Sequence, residues 1–208
     1  MDIQFYGANC VTLTYKGSRV VVDDTLAALG GKAVLKTDDI ALFTTDQPTR
    51  LPAKLCVDHP GEYEVGDVSI TGVAAQAHTE ADSKVKLATM YKVSAGDLRV
   101  LITGHIYPEL SEAQLEDLGH VDVMIVPVGG NGYTLDAIGA LKLIKEVEPK
   151  LVIPTHYADK ALKYEVPQQE LSIALKELGM EPKETTTKLK LKSADFSDVT
   201  QLIVLEKS

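Results

Sequence analysis

The order of the hydrophobic patterns constrains the fold of this chain more than any other feature. Short strands fill the sequence up to residue 102, and helical patterns alternate with buried strands after that point. The early strands are predicted over residues 3–6, 11–15, 19–22, 40–43, 54–57, 68–73, 87–93 and 98–102. Later strands are predicted over residues 121–128, 151–154, 189–192 and 202–205. Alternating apolar and polar side chains, as in residues 11–15, are typical of strands with one buried face.

Two helices are predicted in the second half, from the spacing of their apolar residues. The first spans residues 134–147, with Thr134 as its cap, and the second spans residues 167–178. Ser111 and Gln114 have the spacing of a capping box, which predicts a further short helix. Strands first, then alternating strands and helices, fit two packed sheets with helices on their outer faces. We therefore expect a mixed α/β (α+β) fold in four layers, αββα.

The length and composition indicate one globular domain that spans residues 1–208. Hydrophobic residues make up 45% of the chain and charged residues 25%, and 208 residues suffice to enclose a sizeable core. The apolar runs are too short to span a bilayer, and the first residues lack the pattern of a secretory signal. Cys10 and Cys56 are too few for a disulfide framework. We therefore expect a cytoplasmic protein with reduced thiols.

The net charge of −9 argues against two classes of partner. An acidic protein repels the phosphates of nucleic acids and the anionic headgroups of membranes over long distances. The chain also has no Trp and only three Phe, so it offers few aromatic side chains on which bases could stack. We therefore expect neither nucleic-acid binding nor membrane binding.

Five segments carry a family resemblance through their order and spacing. They are residues 5–10, residues 20–23, residues 60–65, residues 122–130 together with 134–136, and residues 149–157. Together they resemble the metallo-β-lactamase superfamily and, within it, the ascorbate-6-phosphate lactonase-like branch of Zn-dependent hydrolases. The resemblance covers nearly the whole chain and implies the αββα sandwich. It also implies a hydrolytic site that holds two metal ions.

The main metal motif of that superfamily, His-x-His-x-Asp-His, is lost from this chain. Its four ligand positions are occupied by Thr45, Gln47, Thr49 and Arg50. Asp46 is the only carboxylate in this loop, and it occupies a position that the motif leaves unspecified. Arg50 would also bring a fixed positive charge to a place where the superfamily helps to hold Zn²⁺.

Three histidines remain at or near the positions of other ligands in the superfamily. His78 and His156 match two of them, and His105 stands in a Gly-His dipeptide where the superfamily has a metal-bridging Gly-Asp. Three imidazoles could hold a single Zn²⁺, since a catalytic zinc commonly has about three protein ligands and an open position. Asp46 or Asp23 could add a fourth ligand or a hydrogen-bonding partner. Each histidine can equally be a rim or loop residue without a ligand role.

These observations favour a superfamily member that has lost the binuclear site, carries no cofactor and binds a ligand or partner without catalysis. A small anion is the expected ligand if Arg50 faces the cleft, and a protein partner or a homo-oligomer is the other expectation. The alternative is a metal-dependent hydrolase of a lactone, ester or phosphodiester, with a single metal on His78, His105 and His156. A third hypothesis, a structural subunit, predicts no ligand-sized cleft at His156.

Overall fold

The computed structural model describes residues 1–46, 52–78 and 87–208. The first-half strands are β1 (Asp2–Gly7), β2 (Cys10–Tyr15), β3 (Ser18–Val22), β4 (Ile40–Leu42), β5 (Leu55–Val57), β6 (Gly61–Val65), β7 (Val68–Gln76), β8 (Leu87–Ala95) and β9 (Leu98–Ile102). The later strands are β10 (Val123–Pro127), β11 (Leu151–Thr155), β12 (Pro182–Thr186), β13 (Leu189–Lys190) and β14 (Gln201–Leu205). The helices are α1 (Glu112–Leu118), α2 (Ala137–Val147) and α3 (Leu171–Leu178), with a 3₁₀ turn at Ser193–Asp195. Within the described ranges, no helix combines the length and the apolar character needed to cross a membrane.

The strands form two sheets. The six-stranded sheet has the order β13-β1-β2-β3-β4-β5, and the eight-stranded sheet has the order β12-β14-β11-β10-β9-β8-β7-β6. Strands joined by tight turns, such as β8 and β9, are antiparallel, whereas β9, β10, β11 and β14 run parallel. The carboxyl ends of the parallel strands therefore meet at one edge of the eight-stranded sheet.

Two hydrophobic clusters hold most of the layers together. The larger one joins the facing sides of the two sheets and includes Leu13, Val100 and Ile125. The second lies between the eight-stranded sheet and the helices and includes Met124 and Leu143. Strands β10 and β11 are buried at every position because they are covered on both faces. The predicted mixed α/β fold with two packed sheets is confirmed.

The outer face of the six-stranded sheet is covered in a different way. A third cluster joins Cys10 and Val21 of that sheet to Leu26 and Leu162. Residues 24–35, which supply part of this cover, form turns and irregular backbone rather than a helix. The helices α1, α2 and α3 all contribute to the cluster on the eight-stranded sheet. In this chain the fourth layer of the αββα arrangement therefore consists of turns.

The two longer helices begin later than the sequence predicts. The first, α2, begins at Ala137 because the Asp136 side chain accepts a hydrogen bond from the backbone N–H of Gly139 at 2.7 Å. Thr134, the predicted cap, lies upstream and is fully buried. The second, α3, begins at Leu171 rather than at residue 167.

Two further elements test the sequence-based assignment. The predicted capping box of α1 is confirmed, because the Ser111 hydroxyl accepts from the Gln114 N–H and the Gln114 side chain accepts from the Ser111 N–H. Strand β12 was not predicted from the sequence. Its side chains are mostly polar and exposed, so it lacks the alternation that identifies a half-buried strand. It pairs with β14 through the backbone ladder and through a hydrogen bond from Nζ of Lys183 to Oε1 of Gln201 at 2.8 Å.

Candidate functional site

A cleft of about 710 Å³ opens where strands of both sheets end. Asp23 directly follows β3, Thr44 follows β4, and His156 directly follows β11. His78 and His105 come shortly after β7 and β9. All five of these residues line the cleft. Side chains that are distant in the sequence therefore meet at one rim of the molecule.

Three cleft residues have backbone in the left-handed region, which non-glycine residues adopt rarely. The φ angle is 48° at Ala8, 46° at Asp23 and 52° at His156. This conformation costs a non-glycine residue about 1–2 kcal/mol, and such strain is concentrated at functional sites. The backbone N–H of His156 donates to the carbonyl of Ala8 at 2.8 Å and ties two of these positions together.

Two glycines permit close packing around the cleft. Gly104 has a φ of 62°, and a Cβ on it would overlap the side chain of Thr44. A Cβ on Gly129 would overlap the carbonyl oxygen of His156 and the side chain of Gln168. Larger residues at either position would therefore force apart the segments that hold the cleft side chains.

The Asp23 carboxylate is buried and its hydrogen bonds are internal. Its two oxygens accept from the backbone N–H of Thr44 at 2.8 Å and from the Thr44 hydroxyl at 2.7 Å. The Asn9 side chain also hydrogen-bonds to it. Burial raises the pKa of Asp23 to about 6, although the hydrogen bonds from Thr44 and Asn9 oppose this rise. Asp23 is thus engaged by its own protein and is costly to keep charged.

Asn9 connects three parts of this site. Its Nδ2 atom lies 3.0 Å from Nε2 of His105, and its Oδ1 accepts a hydrogen bond from the Thr155 hydroxyl at 2.9 Å. Together with its bond to Asp23, these contacts use both the carbonyl and the amino group of the Asn9 amide. Asn9 is only 4% exposed, so the contacts lie beneath the floor of the cleft.

Two histidines form the centre of the cleft and are held in the neutral state. The rings of His105 and His156 are nearly perpendicular, with centroids 4.6 Å apart. Burial lowers the pKa of His156 to about 4, while its hydrogen bond to Gln168 opposes that shift. Burial also lowers the pKa of His105 well below the usual range, and the neighbouring His156 and His78 lower it further. Both imidazoles are therefore neutral near pH 7.

Aromatic side chains surround these rings. Tyr133 lies edge-on to His105 with centroids 5.3 Å apart, and its ring is close to parallel with that of His156 at 5.8 Å. Tyr164 contacts His156 from another direction, at 5.2 Å. Tyr133 is 42% exposed, so it forms the outer wall of the cleft on its side.

The predicted metal ligands can now be placed. His78, His105, His156 and Asp46 all line the same cleft. His78 is half-buried, stacks on Tyr107, and donates its backbone N–H to the carbonyl of His105 at 2.8 Å. Even so, the described part of the chain contains no group of three or more His, Cys, Asp or Glu side chains placed to hold a metal ion. As placed, these side chains do not fit a metal ion, and the predicted ligand role stays a prediction.

Part of the lost motif lies outside the described residues. Gln47, Thr49 and Arg50 fall between residues 46 and 52, so the predicted role of Arg50 in the cleft stays a prediction. Among the described lining residues, Asp23, Asp46 and Glu165 carry carboxyl groups, whereas Lys163 carries a positive charge. This part of the lining is therefore more acidic than basic.

Sequence reasoning missed several residues that build the site. Asn9, Thr44 and Gln168 hold the carboxylate and the two imidazoles, and Tyr133 and Tyr164 form walls. A polar residue after a strand, as at Thr44, was the available signal. Nothing local in the sequence marks Gln168 as a partner of His156, because the contact depends on the path of the loop before α3.

Comparison with protein families gives one match over most of the chain. Residues 2–156 match the family described as the beta-lactamase superfamily domain. A UPF0173 metal-dependent hydrolase from Salinibacter ruber is 43% identical over 96 residues, which cover 46% of this chain and 42% of that protein. A protein of the same name from Archaeoglobus fulgidus is 30% identical over 103 residues, covering 47% of this chain and 44% of the relative. The matched part therefore spans less than half the length of either relative.

A solved structure superposes on nearly the whole of this chain. The crystal structure of a metallo-β-lactamase superfamily protein from Thermotoga maritima superposes with a TM-score of 0.73 at 25% sequence identity. The superposition covers 99% of this chain and 98% of that one. The paired sheets described above therefore have the same arrangement in both proteins.

Proposed function

The chain belongs to the beta-lactamase superfamily domain family, and from this premise we propose that its cleft binds a small molecule without a binuclear metal centre. The relatives from Salinibacter ruber and Archaeoglobus fulgidus are named metal-dependent hydrolases. Their matched portions are partial, so the proposal rests on the side chains of this cleft.

The observation that carries the proposal is that polar groups of the cleft already hydrogen-bond to one another. A binuclear site needs a carboxylate to bridge its ions, and His105 stands where that carboxylate is expected. Asp23, a buried carboxylate nearby, already accepts hydrogen bonds through both oxygens from Thr44. Turning it towards a metal would break these bonds and leave the buried N–H of Thr44 unpaired, at about 1–3 kcal/mol.

The size and lining of the cleft support a small-molecule ligand. Ligand pockets commonly have volumes of roughly 300–1,000 Å³ and combine apolar walls with a few polar groups. The cleft falls in this range and is walled by Tyr133 and Tyr164 around neutral imidazoles. Its described charges favour a neutral or cationic molecule. The anionic ligand expected from the sequence would require Arg50 to reach the cleft.

A second candidate function is supported by unpaired nitrogens. The Nδ1 atoms of His78 and His105 are buried without a hydrogen-bond partner among the described residues. Nδ1 of His156 hydrogen-bonds to Gln168. Metal-bound histidines commonly form such a bond through the ring nitrogen that does not bind the metal. If the three side chains rotated to converge, they would provide the ligand set of a single-metal hydrolase.

Elemental analysis separates the two functions. Protein purified without chelator, incubated with Zn²⁺ or Mn²⁺ and then passed through gel filtration, is expected to retain no stoichiometric metal. The variants are His105→Ala and, as a matched control, His59→Ala, which removes an exposed imidazole. About one metal per chain in wild type and in the His59 variant, with none in the His105 variant, would replace the proposal with the hydrolase.

Ligand binding requires its own test. A fragment screen monitored by amide NMR shifts is expected to give hits that perturb residues 129–133, 156 and 168 together. A screen without any hit at this cleft would contradict the proposed function. A protein partner, a homo-oligomer and a cytoplasmic location stay proposals to be tested by size-exclusion chromatography with light scattering and by fractionation.

A further inference from the structure

The orientation of the Asn9 amide determines which nitrogen of His105 carries the proton. Thr155 donates its hydroxyl to Oδ1 of Asn9, so the amino group of Asn9 faces Asp23 and His105. An amide N–H can only donate, and therefore Nε2 of His105 must accept. In a neutral imidazole the proton then lies on Nδ1.

A second amide determines the tautomer of His156. Nε2 of Gln168 donates to the carbonyl of Val166 at 2.7 Å, so Oε1 of Gln168 faces Nδ1 of His156 at 3.1 Å. A carbonyl oxygen can only accept, so Nδ1 of His156 carries the proton. Nε2 of His156 is left with a lone pair as an acceptor.

The two histidines therefore contribute one donor and one acceptor to the same cleft. Nδ1–H of His105 is a buried donor without a partner in the described chain. Nε2 of His156 is an acceptor, and the two rings are in direct contact in the cleft. Buried polar groups are nearly always paired, so an unpaired buried donor beside a cleft indicates a place where a ligand acceptor can bind.

We propose that the cleft recognises a neutral planar group in which a carbonyl lies beside an N–H, as in a primary carboxamide or a urea. This inference rests on the proposed ligand-binding function. The ligand carbonyl accepts from Nδ1–H of His105, while the ligand N–H donates to Nε2 of His156. A carboxylate has no hydrogen to donate to Nε2 of His156, and an ammonium has no lone pair to accept from Nδ1–H of His105.

Tyr133 is a partly exposed side chain that packs against both histidines. Its ring contacts both histidines and is 42% exposed, so it covers the pair from the solvent side. It follows residues 129–132, where Gly130 and Gly132 have positive φ. A small planar group bound to both histidines would therefore lie beside this ring.

The tautomers are tested directly by long-range ¹H–¹⁵N spectra of histidine-labelled protein near pH 7.5. Both His105 and His156 are expected to show a protonated Nδ1 and an unprotonated Nε2. The Asn9→Ala variant is expected to let His105 adopt the other tautomer, while His156 keeps its own. A wild-type His105 with its proton on Nε2 would overturn the inference.

The ligand class is tested with a matched pair of probes on the wild-type protein. The cyclic urea 2-imidazolidinone has both groups, whereas 1,3-dimethyl-2-imidazolidinone lacks the N–H. The first is expected to bind about 5–10-fold more tightly, as the loss of one neutral hydrogen bond implies. It is also expected to shift the unprotonated ¹⁵N of His156. Acetate and methylammonium, each of which can pair with only one of the two histidines, are expected to bind more weakly.

The outcomes distinguish this inference from the function on which it rests. Equal binding of the two ureas at the cleft, or stronger binding of acetate or methylammonium, overturns the ligand class and leaves the binding function standing. Failure of every probe and fragment to perturb the cleft overturns both. The probe comparison needs no variant, so it holds even if Asn9→Ala does not fold.

Discussion

Replacing Asp23 with Asn should stabilise the protein at neutral and alkaline pH. The wild-type carboxylate is charged there while it is buried. An amide oxygen can still accept from the backbone N–H of Thr44, and the Thr44 hydroxyl can accept from the new amide N–H. The substitution therefore removes a buried charge and changes the shape of the side chain little.

The magnitude follows from the shift in the pKa of Asp23. Its value is about 6 in the folded protein, against the ordinary value of 3.8 in the unfolded chain. The difference of about 2 units, at 1.36 kcal/mol per unit, corresponds to about 3 kcal/mol at full effect. That is a large share of the 5–15 kcal/mol typical of a domain of this kind.

The sign of the pH dependence follows from proton binding. Between about pH 4 and pH 6 the folded state holds more protons on Asp23 than the unfolded state does, so stability falls as the pH rises through this window. The Asn variant lacks this loss. The free energy of unfolding of the variant minus that of wild type should therefore grow by about 2 kcal/mol between about pH 4.5 and pH 8.

The difference between the two proteins has to be measured, because His156 acts in the opposite direction. Burial lowers its pKa to about 4, so the unfolded state holds more protons on His156 below about pH 6.5. Its contribution to stability is therefore lost as the pH falls through that window. Burial also lowers the pKa of His105, so the wild-type curve mixes the effects of Asp23 and of both histidines. The contributions of the histidines cancel in the comparison with Asp23→Asn.

Urea unfolding followed by circular dichroism across this pH range is the assay. Asp97→Asn, at an exposed turn, is the control for removing one negative charge from an acidic chain. A difference between wild type and Asp23→Asn that stays constant with pH would refute the argument that burial dominates at Asp23. A variant less stable than wild type at pH 8 would show that the hydrogen bonds outweigh burial.

Three further predictions concern local packing. Gly104→Ala should lower the free energy of unfolding, measured by urea titration, by about 1–3 kcal/mol more than Gly17→Ala does. Both glycines have positive φ, but of the two only Gly104 carries a position where a Cβ would overlap a neighbour, so equal losses would contradict this. Ser111→Ala should cost about 1 kcal/mol through the lost cap and lower the melting temperature; an unchanged melting temperature would count against it. Gln168→Leu should remove the side-chain partner of Nδ1 of His156 and broaden its ¹⁵N signals as tautomers exchange; unchanged signals would contradict the assignment.

The sequence predicted most of the strands and the fold, because apolar periodicity reflects burial, whereas β6 and β12 were not predicted. Residues 11–15 alternate, and β2 lies at Cys10–Tyr15 with Val11 and Leu13 in the cluster between the sheets. The polar Thr12 is buried as well, because the other face of this sheet is also covered. Helix starts were less accurate, because Thr134 and Asp136 are both acceptable caps and only the tertiary structure decides between them. Thr134 is buried against its surroundings, which leaves Asp136 to cap α2.

The site was only partly predictable. The histidines at strand ends were found because a family resemblance marked their positions. The hypothesis of a purely structural subunit predicted no ligand-sized cleft at His156, and the cleft found there contradicts it. The residues that orient them, Asn9 and Gln168, were missed because an amide carries no signature of its partner. Their importance depends on contacts across the molecule, which no local pattern in a single sequence encodes.

The hydrogen bond between Asn9 and Thr155 joins residues 146 positions apart, and this span affects how the protein is made. During synthesis, the β1–β2 hairpin emerges long before β11 exists, so the cleft cannot close over its floor until late. Contacts of such long range form slowly compared with local hairpins. Until they form, Asp23 stays hydrated and the histidine tautomers are unrestrained. A ligand that binds the closed cleft will therefore select chains that have finished folding, and in a cell it would protect them from degradation.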